Sequence, residues 1–241
     1  MVSVFPFRQQ HRLSESSYFA GLTDWHCHIM PGVDDGIQQM SDSLTVLSEY
    51  EQMGIHEVWL TPHIMEDIPN TTVQLRKQYE LLCAAYSGAV TLHLSAENMI
   101  DHTLHVRLAE DDLLPVGPTS GSLLVETSYY TPPMRFHETL EQISDKGYQP
   151  VLAHPERYVY MDESDYLNLK DSGVLFQLNL LSLGGHYGKL SRKKAQRLLR
   201  LGLYDVTGSD LHSVETIRWL KELKLSRDLL LSLEQIKQNE L

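Results

Sequence analysis

Along the chain, short apolar runs rich in β-branched and aromatic residues end in polar residues and give way to stretches of helical spacing, the pattern of repeated βα units. Seven such runs occur, over residues 21–28, 56–63, 90–98, 122–128, 150–157, 174–181 and 204–212. Between the first two, Leu44, Leu47 and Met53 recur at roughly helical intervals, Ser41 offers an N-cap and Gly54 a stop, which predicts a helix over 41–54. The scheme returns over 133–146 before Gly147, 162–172 before Gly173 and 191–201 before Gly202. No low-complexity linker or strong internal repeat interrupts it, so residues 21–241 read as one α/β domain and residues 1–20 as an N-terminal appendage.

At 241 residues, with 42% hydrophobic and 22% charged positions, the chain can bury a large core and is unlike a disordered polymer. Its 32 acidic and 20 basic residues leave a formal charge of -12, which disfavours broad contact with a nucleic-acid backbone and fits either a solvated acidic surface or carboxylates that await metal cations. The two cysteines, Cys27 and Cys83, are too few for a disulfide framework. Residues 1–8 lack the apolar core and cleavage site of a signal peptide, and no run reaches membrane-spanning length, so the expected location is cytoplasmic.

Histidines and carboxylates gather where the predicted strands run out: His26 and His28, His63, Glu97, Glu126, His154, and Asp210 with His212. If the βα units close into a parallel barrel, the C-terminal strand ends converge on one face and bring these residues together. Strand alternation puts His26 with His28, and Asp210 with His212, on one side, and turns Cys27 and Leu211 away. Any one of these residues alone fits a solvated rim; their presence at six of seven strand ends points to metal ligation. The loop Met30-Pro-Gly-Val-Asp-Asp-Gly36 turns back toward the same face, and spacing alone leaves open whether Asp34, Asp35 or neither joins the site. Histidines 11, 56, 93, 102, 105, 137 and 186 fit no such pattern and are expected to be structural.

The segments Asp24-Trp-His-Cys-His-Ile-Met-Pro-Gly-Val-Asp-Asp-Gly36, Thr61-Pro-His63, Ala96-Glu97, Val125-Glu126, Leu152-Ala-His-Pro-Glu-Arg-Tyr158 and Gly208-Ser-Asp-Leu-His212 resemble the PHP (polymerase and histidinol phosphatase) superfamily. Within it they are most similar to bacterial manganese-dependent tyrosine-protein phosphatases of capsule and exopolysaccharide loci, the CpsB/YwqE type. The resemblance implies a distorted (β/α)7 barrel with three divalent metal ions at the C-terminal ends of the strands. By matching position, His26, His28, Glu97 and Asp210 would hold the first metal, Glu97 would bridge to a second completed by Glu126 and His154, and Asp35, His63 and His212 would hold the third. It is this family pattern that selects Asp35. It also implies a phosphotyrosine protein as substrate, foremost the tail of a bacterial tyrosine kinase.

Four carboxylates against three divalent cations leave a site charge of about +2, suited to a phosphate dianion. Nitrogen and oxygen donors without a thiolate suit manganese or iron and leave zinc open. The expected chemistry is in-line attack on phosphorus by a hydroxide generated at the metals. Arg157 resembles the family's phosphate-contacting arginine, whose planar fork binds two phosphoryl oxygens; without the resemblance it reads as a salt bridge to Glu156 or a neighbour. A second family arginine follows the last histidine, and Arg218, one position late and inside an expected helix, is its nearest candidate. In 180–188 the glycines read first as a tight loop, with substrate contact secondary.

A cysteine-dependent phosphatase needs an arginine six positions after its nucleophile, where this chain has Val33 and Ala89, and no P-loop motif is present. Two alternatives stay open: a small-molecule phosphatase of the histidinol-phosphate type, and a non-catalytic metal-containing regulator of polysaccharide assembly.

Overall fold

A short strand, β1 (Gln10–Arg12), precedes the seven runs, which form β2 (Thr23–Cys27), β3 (Glu57–Leu60) with β4 (His63–Ile64), β5 (Thr91–Leu94) with β6 (Glu97–Met99), β7 (Ser122–Glu126), β8 (Gln149–Ala153), β9 (Leu175–Asn179) and β10 (Val206–Gly208). These coordinates are a computed structural model describing residues 10–119 and 121–238. Pairing is parallel throughout the seven runs, in the orders β2-β3-β5 and β10-β9-β8-β7-β6-β4. Ser95 N–H to Leu60 O and Glu97 N–H to Pro62 O carry the β3–β5 pairing on into β4–β6, so 57–64 and 91–99 each act as one broken strand. At the other seam Asp210 N–H donates to His26 O and His28 N–H to Leu211 O, which ties β10 to β2. The result is a distorted (β/α)7 barrel.

Helices follow the strands: α1 (Met40–Met53), α2 (Thr72–Ala85), α3 (His102–Glu110), α4 (Phe136–Asp145), α5 (Glu163–Asp171), α6 (Gly188–Arg200) and α7 (Val214–Glu222). Gly54 ends α1 in the left-handed conformation (φ 86°), as its position predicted. The start differs: the cap position is Gln39, and Ser41 lies inside the first turn. Ser43 instead anchors that turn, its hydroxyl donating to Ile29 O at 2.6 Å. Reciprocal capping boxes open α2 (Thr71 with Gln74) and α5 (Asp162 with Asp165), satisfying donors that a helix start leaves unpaired.

The chain closes with β11 (Lys224–Ser226) and α8 (Arg227–Gln238). Of the 1–20 segment set apart by sequence, residues 1–9 lie outside the described residues. Residues 10–20 are joined to the barrel domain: β1 pairs antiparallel with β11, Leu13, Tyr18 and Phe19 are buried, and the Tyr18 hydroxyl lies 2.8 Å from Thr207 Oγ1.

Two apolar layers position the site. A large cluster fills the space between strands and helices, and a smaller one of Trp25, Trp59, Leu124, Val151, Ala153 and Val206 plugs the barrel's interior. Trp25 and Trp59 stack at 5.9 Å within this plug. Above it, toward the C-terminal strand ends, the residues turn from apolar to ionisable. Simple alternation would send Trp25 and Cys27 to the same side, yet Trp25 joins the plug and Cys27 the outer cluster. The β2–β3 register slips between Asp24 and Cys27, and this irregularity lets His26 follow Trp25 toward the barrel axis.

Candidate metal centre

The nine residues expected to ligate metal meet at the C-terminal mouth of the barrel. His26, His28, His63, Glu97, Glu126, His154 and Asp210 are buried, His212 is half-buried and Asp35 is exposed. Their donor atoms fall into overlapping sets: His26, His28 and Asp210; His26, Glu97 and His154; His63, Glu97 and Glu126; and His28, Asp35, His63 and His212. Glu97 is the hub. Its Oε2 lies 3.1 Å from His26 Nε2, 3.3 Å from His28 Nε2 and 3.1 Å from His63 Nδ1, while Oε1 lies 3.0 Å from His154 Nε2. His63 also faces Glu126 Oε1 at 3.1 Å, so this histidine sits between two of the sets assigned by resemblance.

Two glycines let the backbone close around the first pair of histidines. A Cβ on Gly208 would lie 2.5 Å from His26 Cβ, and one on Gly36 would lie 2.4 Å from His28 Cβ, both impossible contacts. His154 and Asp210 adopt positive φ, 34° and 51°, a conformation that costs a non-glycine residue about 1–3 kcal/mol. On β8, Leu152 packs in the outer cluster, so alternation would also send His154 outward; the left-handed turn re-aims its ring into the mouth.

For the neutral imidazoles, which are the ligating form, hydrogen bonds decide which ring nitrogen carries the proton. Gln177 Nε2 donates to Leu178 O and His154 N–H donates to Gln177 Oε1, which fixes the amide's orientation. The same Oε1 lies 2.9 Å from His26 Nδ1, which must therefore be N–H, leaving the His26 Nε2 lone pair aimed at the cluster. By the same logic Asp34 Oδ2, 2.8 Å from His28 Nδ1, and Asp210 O, 2.9 Å from His212 Nδ1, direct both Nε2 lone pairs inward. His26 Nε2 and His28 Nε2 then face each other at 3.1 Å. Around them Glu97 Oε2, Glu126 Oε1, His63 Nδ1 and His154 Nδ1 are buried without hydrogen-bond partners. Lone pairs so assembled need positive charge, and the nitrogen-and-oxygen donor set fits divalent metal ions.

The electrostatics of the cluster make the same demand. Burial disfavours a charged His26, yet Glu97 and Asp210 outweigh it and raise its pKa to about 9. His63 is raised against burial to about 10, chiefly by Glu97 and Glu126, and His212 to about 9 by Asp35 and Asp210. Asp35 is drawn down to about 2 by its hydrogen bond to His212. Burial disfavours ionised Glu97 and Asp210, but the surrounding histidines, His26 foremost, hold both well below the usual carboxylate range.

Residues 22–221 match the family described as "Capsular polysaccharide synthesis, CpsB/CapC". The chain belongs to this family. It is 29% identical over 201 residues to the tyrosine-protein phosphatase YwqE of Bacillus subtilis, covering 81% of this chain and 79% of that one. To the tyrosine-protein phosphatase CpsB of Streptococcus pneumoniae it is 26% identical over 214 residues, covering 81% and 84%. Among solved structures it is similar to one from work on YwqE of B. subtilis and CpsB of S. pneumoniae, described as unique metal-dependent tyrosine phosphatases. That likeness has a TM-score of 0.75 and 25% identity, covering 91% of this chain and 96% of that one.

In this CpsB/CapC chain the mouth opens into a cleft of about 380 Å³, lined by Asp35, His63, Glu97, His154, Asp210 and His212 and also by Arg157 and Tyr187. Arg157 Nη1 donates to Asp210 Oδ2 at 2.9 Å, and its guanidinium lies 4.3 Å from the Tyr129 ring centre and 4.2 Å from that of Tyr187. The two rings flank the planar cation, which lines the cleft. Glu156 is not its partner: that carboxylate is buried, accepting from Asn179 N–H and the Tyr204 hydroxyl. Arg218 is not brought to the cleft. Thr216 and Trp219 on the same helix line it, whereas Arg218 points to solvent beside Glu222 at 3.5 Å.

Several contributors escaped the sequence reading. Asp34, weighed there only as a possible ligand, orients His28 through a carboxylate shielded from solvent. Gln177 and Asn179, two apart on the one strand with no ionisable residue at its end, hold His26 and Asp210; Asn179 Nδ2 donates to Asp210 Oδ2 at 2.7 Å. Alternation along β9 was the signal that would have found them. His186, assigned a structural role, lines the cleft with its ring 4.2 Å from that of Trp219.

Proposed function

We propose that this chain is a metal-dependent protein-tyrosine phosphatase acting in capsule or exopolysaccharide synthesis, with the barrel domain over 21–241 carrying the activity in the cytoplasm. The observation that carries the proposal is the inward convergence of imidazole and carboxylate lone pairs beside a clamped arginine, in a chain whose relatives are tyrosine-protein phosphatases.

Three divalent ions are proposed, with manganese foremost and iron or zinc compatible with the donors: one held by His26, His28, Glu97 and Asp210, a second by Glu97, Glu126 and His154, and a third by Asp35, His63 and His212. When bound, such ions lower the pKa of coordinated water and polarise phosphoryl oxygens. The chain's own residues do the rest. Gln177 and Asp34 hold His26 and His28 in the ligating tautomer. Arg157, flanked by Tyr129 and Tyr187, binds phosphoryl oxygens and offsets the charge that develops as the P–O bond breaks. The proposed substrate is a phosphotyrosine tail, foremost that of a bacterial tyrosine kinase.

The test compares phosphate release from phosphotyrosine peptide, phosphoserine peptide and histidinol phosphate, with manganese and then with a chelator. Phosphotyrosine hydrolysis abolished by the chelator is expected. Preference for histidinol phosphate would replace the substrate assignment, and inertness toward all three would leave the barrel a metal-containing regulator.

A further inference from the structure

A second cavity, of about 630 Å³, opens beside the cleft. His186 and Trp219 line both, so their paired rings form the wall between them. Beyond that wall the charge changes sign. In a chain of net charge -12, this groove is lined by Arg12, Arg192 and Lys224 against a single carboxylate, Glu222.

The cations are poorly compensated. Glu222 faces exposed Arg218 at 3.5 Å, and among the described residues the ion-pair partner of Arg12 is Glu15 at 3.9 Å. Among the described residues no carboxylate lies within ion-pair distance of Arg192 or Lys224. Arg12 and Lys224 stand directly opposite each other in the antiparallel β1–β11 pair. Like charges at that spacing destabilise a two-stranded sheet, so the arrangement works against the local fold and in favour of an anionic ligand.

We propose that this groove binds acidic residues flanking the phosphotyrosine of a peptide substrate, a specificity site that rests on the phosphotyrosine assignment above. The phosphotyrosine enters the metal cleft, the chain passes the His186–Trp219 wall, and flanking Asp or Glu side chains meet Arg12, Arg192 and Lys224. Because these ion pairs are partly exposed, the groove selects through modest, salt-sensitive affinity.

The experiment measures steady-state kinetics of the metal-loaded enzyme on two phosphotyrosine peptides of equal length, one flanked on both sides by Asp and Glu, the other by Gln and Ala. A small aryl phosphate, p-nitrophenyl phosphate, monitors the cleft itself. The acidic peptide is expected to show a KM about tenfold lower at low salt, a difference that closes as salt rises toward about 0.5 M. In the double variant Arg192→Glu, Lys224→Glu the preference should vanish or reverse, with p-nitrophenyl phosphate turnover reporting that the cleft is intact; the milder pair Arg192→Gln, Lys224→Gln covers a failure to fold. Equal KM for both peptides, or a preference that survives charge reversal, overturns the groove and leaves the phosphatase assignment standing. Hydrolysis of p-nitrophenyl phosphate with neither peptide cleaved overturns the phosphotyrosine assignment and the groove with it.

Discussion

Asp34 Oδ2 lies 2.8 Å from His28 Nδ1 and also accepts the backbone N–H of His63 at 3.0 Å, so one buried oxygen orients the imidazole just past β2 and the start of β4. Its second oxygen accepts Gly36 N–H at 3.0 Å, which pins the loop that carries Asp35. The two neighbouring aspartates thus divide the work: Asp34 sets geometry from beneath, and Asp35 reaches His63 and His212 at the rim.

Asp34→Ala should therefore weaken metal retention although Asp34 is not a proposed ligand. Loss of such a supporting carboxylate typically costs about 10–100-fold in metal affinity. Equilibrium dialysis against a metal buffer reads the effect, and affinity equal to that of the unmodified protein would show that His28 orients itself.

Glu97→Ala should be the most damaging single ligand change, because both oxygens of this carboxylate face imidazoles and it is the proposed bridge. The expected result is loss of more than one metal equivalent, measured by elemental analysis, together with loss of activity. Full metal content would contradict the bridging role.

Stability of the metal-free protein should fall as pH rises. His26, His63 and His212 have pKa values raised to about 9, 10 and 9, against about 6.5 in an unfolded chain. A raised value means the folded state binds the proton more tightly, so this contribution is complete below about pH 6.5 and is lost as pH climbs through about 9–10. Metal ions displace those protons, so the stability gap between loaded and metal-free protein should widen from pH 6.5 to 10. Denaturant titrations of both forms test this, and a gap that narrows over that range would rule it out.

Arg157→Lys keeps the charge but loses the planar fork held between Tyr129 and Tyr187. A drop in kcat/KM of about a hundredfold is expected, with metal content unchanged. Activity near that of the unmodified enzyme would mean that charge alone suffices there.

The βα order, the seven strands and eight of the nine candidate ligands were legible in the sequence because they follow from local rules, whereas Asp35 was singled out only by the family resemblance. Apolar periodicity marks a strand whatever it packs against, and a parallel barrel gathers all its strand ends on one face. Local rules failed where the chain departs from regular geometry. The register slip in β2 and the positive φ of His154 and Asp210 override the alternation that would otherwise assign each side chain a direction.

What the sequence determined by itself was which residues are available and at which end of the barrel they stand. Their roles needed tertiary contacts between segments far apart in the chain. That Asp34 supports while Asp35 reaches the rim histidines, that Gln177 sets the His26 tautomer from 151 residues away, and that Arg157 lies between two tyrosines while Arg218 does not reach the cleft were decided only in three dimensions. The physical reason is that hydrogen-bond direction and burial depend on neighbours that no local window contains.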